Sequence, residues 1–201
     1  MYYAEGNLDK YLREKYFTDF DYKGIMIEVG AGTTDYKSIS KHFRDHDWRC
    51  ICVEPNPKFV EAHKKLGHEI YQYACSNENK KGDFTIVNIP SWHTKENDGL
   101  SCSAIKPKYN IPAGAQIEKI EVEIIKLDFL LEKLSLTNFD FISVDTEGWE
   151  TEVIEGLDLQ KYQPKVIVME NLSDTPHIKF MNSLGYEYDN KIEYNEIYFR
   201  K

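Results

Sequence analysis

The sequence predicts a single α/β domain, residues 1–201, built on a parallel sheet with helices on its faces. Three observations carry this. Short apolar segments alternate with amphipathic ones in a strand–helix–strand–helix–strand order. The first strand runs into a glycine turn, Glu28-Val29-Gly30-Ala31-Gly32. The second ends in an acid followed by a turn, Glu54-Pro55-Asn56-Pro57.

The elements follow in order. An N-terminal helix over about 7–20 is expected, with Leu8, Tyr11, Leu12, Tyr16 and Phe17 near helical spacing. Gly24–Val29 reads as a strand, Tyr36–His46 as a polar helix and Trp48–Val53 as the next strand. Pro57 suits the first turn of a helix over Lys58–Leu66, which Gly67 stops. Glu69–Ala74 is a third strand. Asp83–Asn88 and Gln116–Lys126 look like strands around a long insertion, about 89–115, rich in Pro, Gly, Ser and Asn. Loops of that length inside a domain are usually functional, and this one is expected to close over a substrate. The rhythm then resumes: helix Phe129–Leu134, strand Phe139–Val144, helix Trp149–Glu155, strand Lys165–Met169, a helix near Pro176–Leu184 and a terminal strand Glu196–Phe199.

Composition narrows the partners. The chain has 201 residues, 41% of them hydrophobic, which is enough for a sizeable core. A net charge of −9 leaves no basic footprint for phosphates, so neither nucleic acid nor a membrane surface is expected as a partner. The four cysteines, Cys50, Cys52, Cys75 and Cys102, lack zinc-knuckle spacing and read as small buried hydrophobes. Met1–Asp9 has no apolar core of a signal peptide, and no stretch approaches a membrane span. A cytoplasmic location is expected, with the oligomeric state left open.

An open α/β sheet binds ligands beyond the carboxyl ends of its strands. Gly30 and Gly32 lie there, where a side chain would block a ligand's approach. Glu54, at the end of the second strand, suits the hydroxyls of a ribose. Both nicotinamide enzymes and methyltransferases use that logic. A dinucleotide fingerprint would place glycine at position 35, but this chain has Asp35. An acid there would repel a diphosphate. S-adenosylmethionine has a ribose, no phosphate and a cationic sulfonium, so Glu28 and Asp35 favour it.

These segments resemble the FkbM-type methyltransferases, a class I S-adenosylmethionine-dependent group acting largely as O-methyltransferases on sugars and natural products. The resemblance is clearest in Cys52-Val53-Glu54-Pro55-Asn56-Pro57 and in Asp145-Thr146-Glu147-Gly148-Trp149-Glu150. It begins near Glu5–Leu12 and continues through Gly24–Gly32, Val166–Asn171 and Gly185-Tyr186. It implies a Rossmann-like, seven-stranded, mostly parallel sheet whose last strand is antiparallel. It also implies a methionine moiety over Gly30, Ala31 and Gly32, a ribose on Glu54 beside Pro55, and adenine near Cys75 and Ser76.

Methyl transfer to an alcohol also needs a proton acceptor or a metal. Asp145, ending a strand beside the expected methyl, and Glu147, two residues on, are the catalytic candidates. Glu150 either joins them or serves the helix N-terminus electrostatically. Asp145, Glu170 and Asn171, at the tips of neighbouring strands, form a candidate Mg²⁺ set. His93 in the long loop and His177 near the last helix are further candidate bases, unless they are plain surface histidines. Trp92 and Tyr109 either stack on an acceptor ring or fill a small core of the loop's own. The reading is an S-adenosylmethionine-dependent methyltransferase acting on a hydroxyl of a saccharide or small metabolite. The rivals are an NAD-dependent oxidoreductase and a non-catalytic nucleoside-binding module.

Overall fold

The computed structural model describes residues 1–90, 103–108, 110–173 and 175–200. Its strands are β1 (Ile25–Val29), β2 (Arg49–Val53), β3 (Ile70–Tyr71), β4 (Ala74–Cys75), β5 (Lys80–Asn88), β6 (Gln116–Ile125), β7 (Phe141–Val144), β8 (Val166–Glu170), β9 (Tyr186–Ile192) and β10 (Asn195–Arg200). Its helices are α1 (Leu8–Lys15), α2 (Ile39–Arg44), α3 (Pro57–Lys65), α4 (Leu127–Lys133), α5 (Glu150–Glu155), α6 (Leu159–Tyr162) and α7 (Ile178–Ser183).

The central sheet has seven strands in the order β3-β2-β1-β7-β8-β10-β9. All run parallel except β10, which is antiparallel to both neighbours. This is the class I methyltransferase arrangement, with its switch point between β1 and β7.

Alternation along each strand feeds two cores, because successive side chains point to opposite faces. Ile27, Val29, Ile51, Val53, Ile142, Val144, Ile167 and Met169 face one, together with α4, α5 and α7. Met26, Cys50, Phe141, Val166, Val168 and Ile197 face the other, covered by Leu8 and Leu12 of α1 and Ile39 and Phe43 of α2. Local caps fix the helix starts. Ser38 accepts from Lys41 N–H at α2, and Asn56 accepts from Lys58 N–H at α3, with Pro57 in the first turn.

Four expectations need revision. The N-terminal helix stops at Lys15, well short of residue 20. The third strand, expected as one run, is two short pieces in different sheets. The chain leaves β3 and enters a second, three-stranded sheet ordered β4-β6-β5. β9 and the short α6 were not anticipated. The cysteines at 50, 52 and 75 are buried and free, as expected, while Cys102 lies outside the described residues. No helix among the described residues is long and apolar enough to cross a membrane.

Candidate active site

A cleft opens over the carboxyl ends of β1, β2, β7 and β8. Gly30, Ala31, Gly32, Glu54, Pro55, Cys75, Asp145, Glu147 and Glu170 all line it. Leu8 and Glu5 of the N-terminal segment, Phe84 of the second sheet, and Ser103–Ile105, bridged to that sheet at Ala104, complete its walls.

At the β1–β2 end the backbone ties the strand tips together. Gly30 N–H and Ala31 N–H both donate to the Val53 carbonyl, at 2.9 and 3.3 Å. Gly30 is required for a reason other than ligand access. It has φ +80°, and a Cβ there would lie 1.7 Å from the Asp145 carbonyl oxygen. Gly32, at φ +52°, instead faces open space, with nothing closer than 4.0 Å to a built Cβ. Its N–H donates to Glu54 Oε2 at 3.0 Å, while Asn56 N–H donates to Glu54 Oε1 at 2.8 Å. Each oxygen keeps a lone pair for a ligand hydroxyl. Burial pushes the Glu54 carboxyl up to about 7, against the pull of those two N–H groups.

Glu28 lines the cleft, but its oxygens serve the fold. Oε1 accepts from Ile39 N–H and Ser40 N–H at 3.0 and 3.1 Å, where the first turn of α2 favours an anion. Ser40 Oγ donates to Oε2, and Arg44 donates in turn to Ser40 Oγ at 2.5 Å and to the Thr34 carbonyl at 3.1 Å. The expectation for Asp35 fails: α2 begins at Ile39, so Asp35 lies outside the helix, exposed and 3.3 Å from Lys41 Nζ. Ser76 also stands back from the described cleft wall, joined to β6 by its N–H to the Ile125 carbonyl at 2.8 Å.

At the β7–β8 end the loop after Val144 folds around one acid. Glu150 Oε1 accepts from Thr146 N–H, Gly148 N–H and Thr146 Oγ, at 2.9, 3.0 and 3.1 Å. Glu150 is therefore an organiser of the turn that precedes α5. The turn holds Glu147 at φ +57° and Gly148 at φ +97°, consecutive left-handed residues. Such backbone costs a non-glycine residue about 1–2 kcal/mol and persists only when its surroundings impose it. Asp145, Glu147 and Glu170 offer oxygens within 4.8 Å of one another, the one such acidic cluster among the described residues. Asp145 and Glu170 stand side by side, so ionising both at once is unfavourable. Burial first, then the Asp145 charge, drives the Glu170 carboxyl far above its usual range, and desolvation by the surrounding cleft wall raises Asp145 as well, although its side chain opens on the cleft.

The expected metal set is not assembled. Asn171 is buried and its amide is spent elsewhere: Nδ2 donates to Glu196 Oε1 and the Thr175 carbonyl, and Oδ1 accepts from Ser173 N–H and Oγ. His177 belongs to the same network, its Nδ1 3.2 Å from Glu196 Oε2, and is not among the lining residues. His93 and Trp92 fall in 91–102, and Tyr109 is likewise outside the described residues. The insertion does reach the cleft through 103–108. Trp149 Nε1 donates to the Lys106 carbonyl at 2.9 Å, and Lys108 Nζ sits 4.2 Å from the Trp149 ring while pairing with Glu152 at 2.6 Å. Sequence reasoning missed Asn195, a lining residue at the start of β10, because no local motif marks it.

The family model of the methyltransferase FkbM domain matches residues 28–188, which span both ends of this cleft. Among solved structures the chain is similar to a precorrin-6y C5,15-methyltransferase from Geobacter metallireducens GS-15. The identity is 14%, the match covers 94% of this chain and 88% of that one, and the TM-score is 0.46. No curated protein matches it. The chain is a methyltransferase of the FkbM family.

Proposed function

We propose that the protein transfers a methyl group from S-adenosylmethionine to a hydroxyl of a small acceptor, a saccharide or related metabolite. The charge of the cleft carries the choice of donor. Glu5, Glu28, Glu54, Asp145, Glu147 and Glu170 line it, against Lys37 as the single cation among the described lining residues. Lys37 is itself paired with Glu5. Such a lining opposes a dinucleotide diphosphate and suits a ligand carrying a sulfonium and an amino group.

When bound, S-adenosylmethionine supplies a methyl already activated on sulfur. The chain's part is to bind, align and take up a proton. The free lone pairs of Glu54 accept two vicinal ribose hydroxyls, the open space at Gly32 admits the methionine moiety, and Pro55 and Cys75 offer apolar contact to the base. Asp145, open to the cleft, accepts the acceptor's proton as the new O–CH₃ bond forms and the S–CH₃ bond breaks. Alignment and exclusion of water provide much of the acceleration. With Asn171 turned away, no step here is routed through Mg²⁺.

Isothermal titration calorimetry tests the reading. Saturable binding of S-adenosylmethionine is expected, with none of NAD; the reverse pattern would overturn it. Donor binding with no methylated product from a cell extract would favour the binding-module reading instead.

A further inference from the structure

We propose that Asn195 selects a hydroxyl over an amine as the methyl acceptor; the inference rests on the methyl transfer proposed above. Asn195 opens β10 directly across from Glu170, and both line the cleft. The three acids beside it, Asp145, Glu147 and Glu170, lie within 4.8 Å of one another. Carboxylates mostly accept hydrogen bonds. Three donors that line the cleft are spent as well. Thr146 Oγ serves Glu150, Trp149 Nε1 serves the Lys106 carbonyl, and Lys37 serves Glu5. The Asn195 amide has no hydrogen-bond partner among the described residues, and it is only half-buried, so its N–H groups are available to a ligand.

The chemistry of the acceptor atom decides what fits. A hydroxyl oxygen has one proton and two lone pairs. Its proton goes to Asp145, one lone pair attacks the methyl, and the second accepts an N–H from Asn195. A neutral amine has a single lone pair, which the attack consumes. An ammonium has none. Either nitrogen leaves the amide N–H without a partner in a closed site, a penalty of the kind that lets hydrogen-bonding sites discriminate strongly.

The test uses the full chain with methyl-labelled donor and a small-molecule cell extract, products being sorted into O-methyl and N-methyl by mass spectrometry. The wild type is expected to give O-methyl products. Asn195→Leu should lose roughly tenfold or more in O-methylation, with donor affinity by calorimetry within about twofold. Asn195→Asp, which replaces the donor by another acceptor, should shift the N-to-O ratio upward by roughly tenfold. Asn195→Ser keeps a donor and should retain the preference for oxygen, which separates selectivity from misfolding. Rates and ratios within about twofold of wild type in the Leu and Asp variants would overturn the assignment. A wild type that binds no donor would instead remove the methyl-transfer reading itself.

Discussion

The two ends of the cleft hold their acids in opposite ways. At the β1–β2 end each acid is satisfied by nearby backbone: Glu54 by the N–H groups of Gly32 and Asn56, Glu28 by those of Ile39 and Ser40. At the β7–β8 end Asp145, Glu147 and Glu170 crowd together, and Glu170 Oε2 is sealed without a hydrogen-bond partner. The first end is preorganised, its geometry complete before a ligand arrives. The second stores unfavourable electrostatics that a cationic or proton-donating ligand relieves. The methyl transfer proposed above uses both: a rigid seat for the donor, and an acidic group held where a proton would go.

The sharpest way to break this division is at Gly30, where the two ends touch. Gly30→Ala places a methyl 1.7 Å from the Asp145 carbonyl and forces a non-glycine residue to φ +80°. The strand tips must separate, so a loss above roughly 4 kcal/mol is expected, enough to abolish soluble, folded protein. Thermal unfolding and yield check this. Gly32→Ala, in open space, should cost only about 1 kcal/mol from its backbone conformation. Next in size is Asp145→Asn, which keeps the shape and removes the proposed proton acceptor. Methyl transfer should fall roughly 10²–10⁴-fold while donor affinity changes only a few-fold. Single-turnover rates beside donor titrations separate the two, and a variant near wild-type rate would move the base elsewhere.

What the sequence made legible follows the same division. The β1–β2 end, proposed to seat the donor, is built from residues close in sequence, so Gly30, Gly32, Glu54 and the Pro57 turn announce themselves. Asp145, Glu147 and Glu170 were legible as strand-end acids. Asn171 was not excluded, because only the alternation past β8 and the buried Glu196 show that it faces the other way. Asn195 was invisible, since its place depends on β10 pairing with a strand 25 residues earlier. β9 was missed for a plain reason. Tyr186–Ile192 is an edge strand with most side chains exposed or half-exposed, so it carries no apolar run. α6 spans four residues, too few for any periodicity. Asp35 misled because the glycine fingerprint assumes a helix that starts sooner than α2 does.

Glu150 tests whether the acceptor end owes its shape to one buried acid. Glu150→Ala strands the N–H groups of Thr146 and Gly148, and roughly 1–3 kcal/mol of stability should go with them. Glu150→Gln retains an oxygen in the same position and should recover much of that. Activity ought to track stability in this pair, since Glu150 orders the turn that carries Glu147. A Gln variant stable but inactive would instead place the Glu150 charge in the chemistry.

The smallest expected effect lies at the donor end, and it is a matter of pH. Burial raises the Glu54 carboxyl to about 7, above its ordinary value of 4.5. Ribose binding as drawn here needs the ionised form, which accepts from both hydroxyls. Donor affinity should then be flat well above pH 7 and weaken on acidification through it, by at most about tenfold per unit. The sign for stability is opposite. A carboxyl whose folded pKa is raised binds more protons folded than unfolded between the two values. Its cost is therefore fully present above 7 and is relieved as pH falls towards 4.5. Calorimetric titrations of the donor and thermal unfolding across pH 5–8 should thus move in opposite directions, and in Glu54→Gln both pH dependences should flatten. If donor affinity in the wild type held constant across that range, the ribose would have to be anchored by something other than the Glu54 carboxylate.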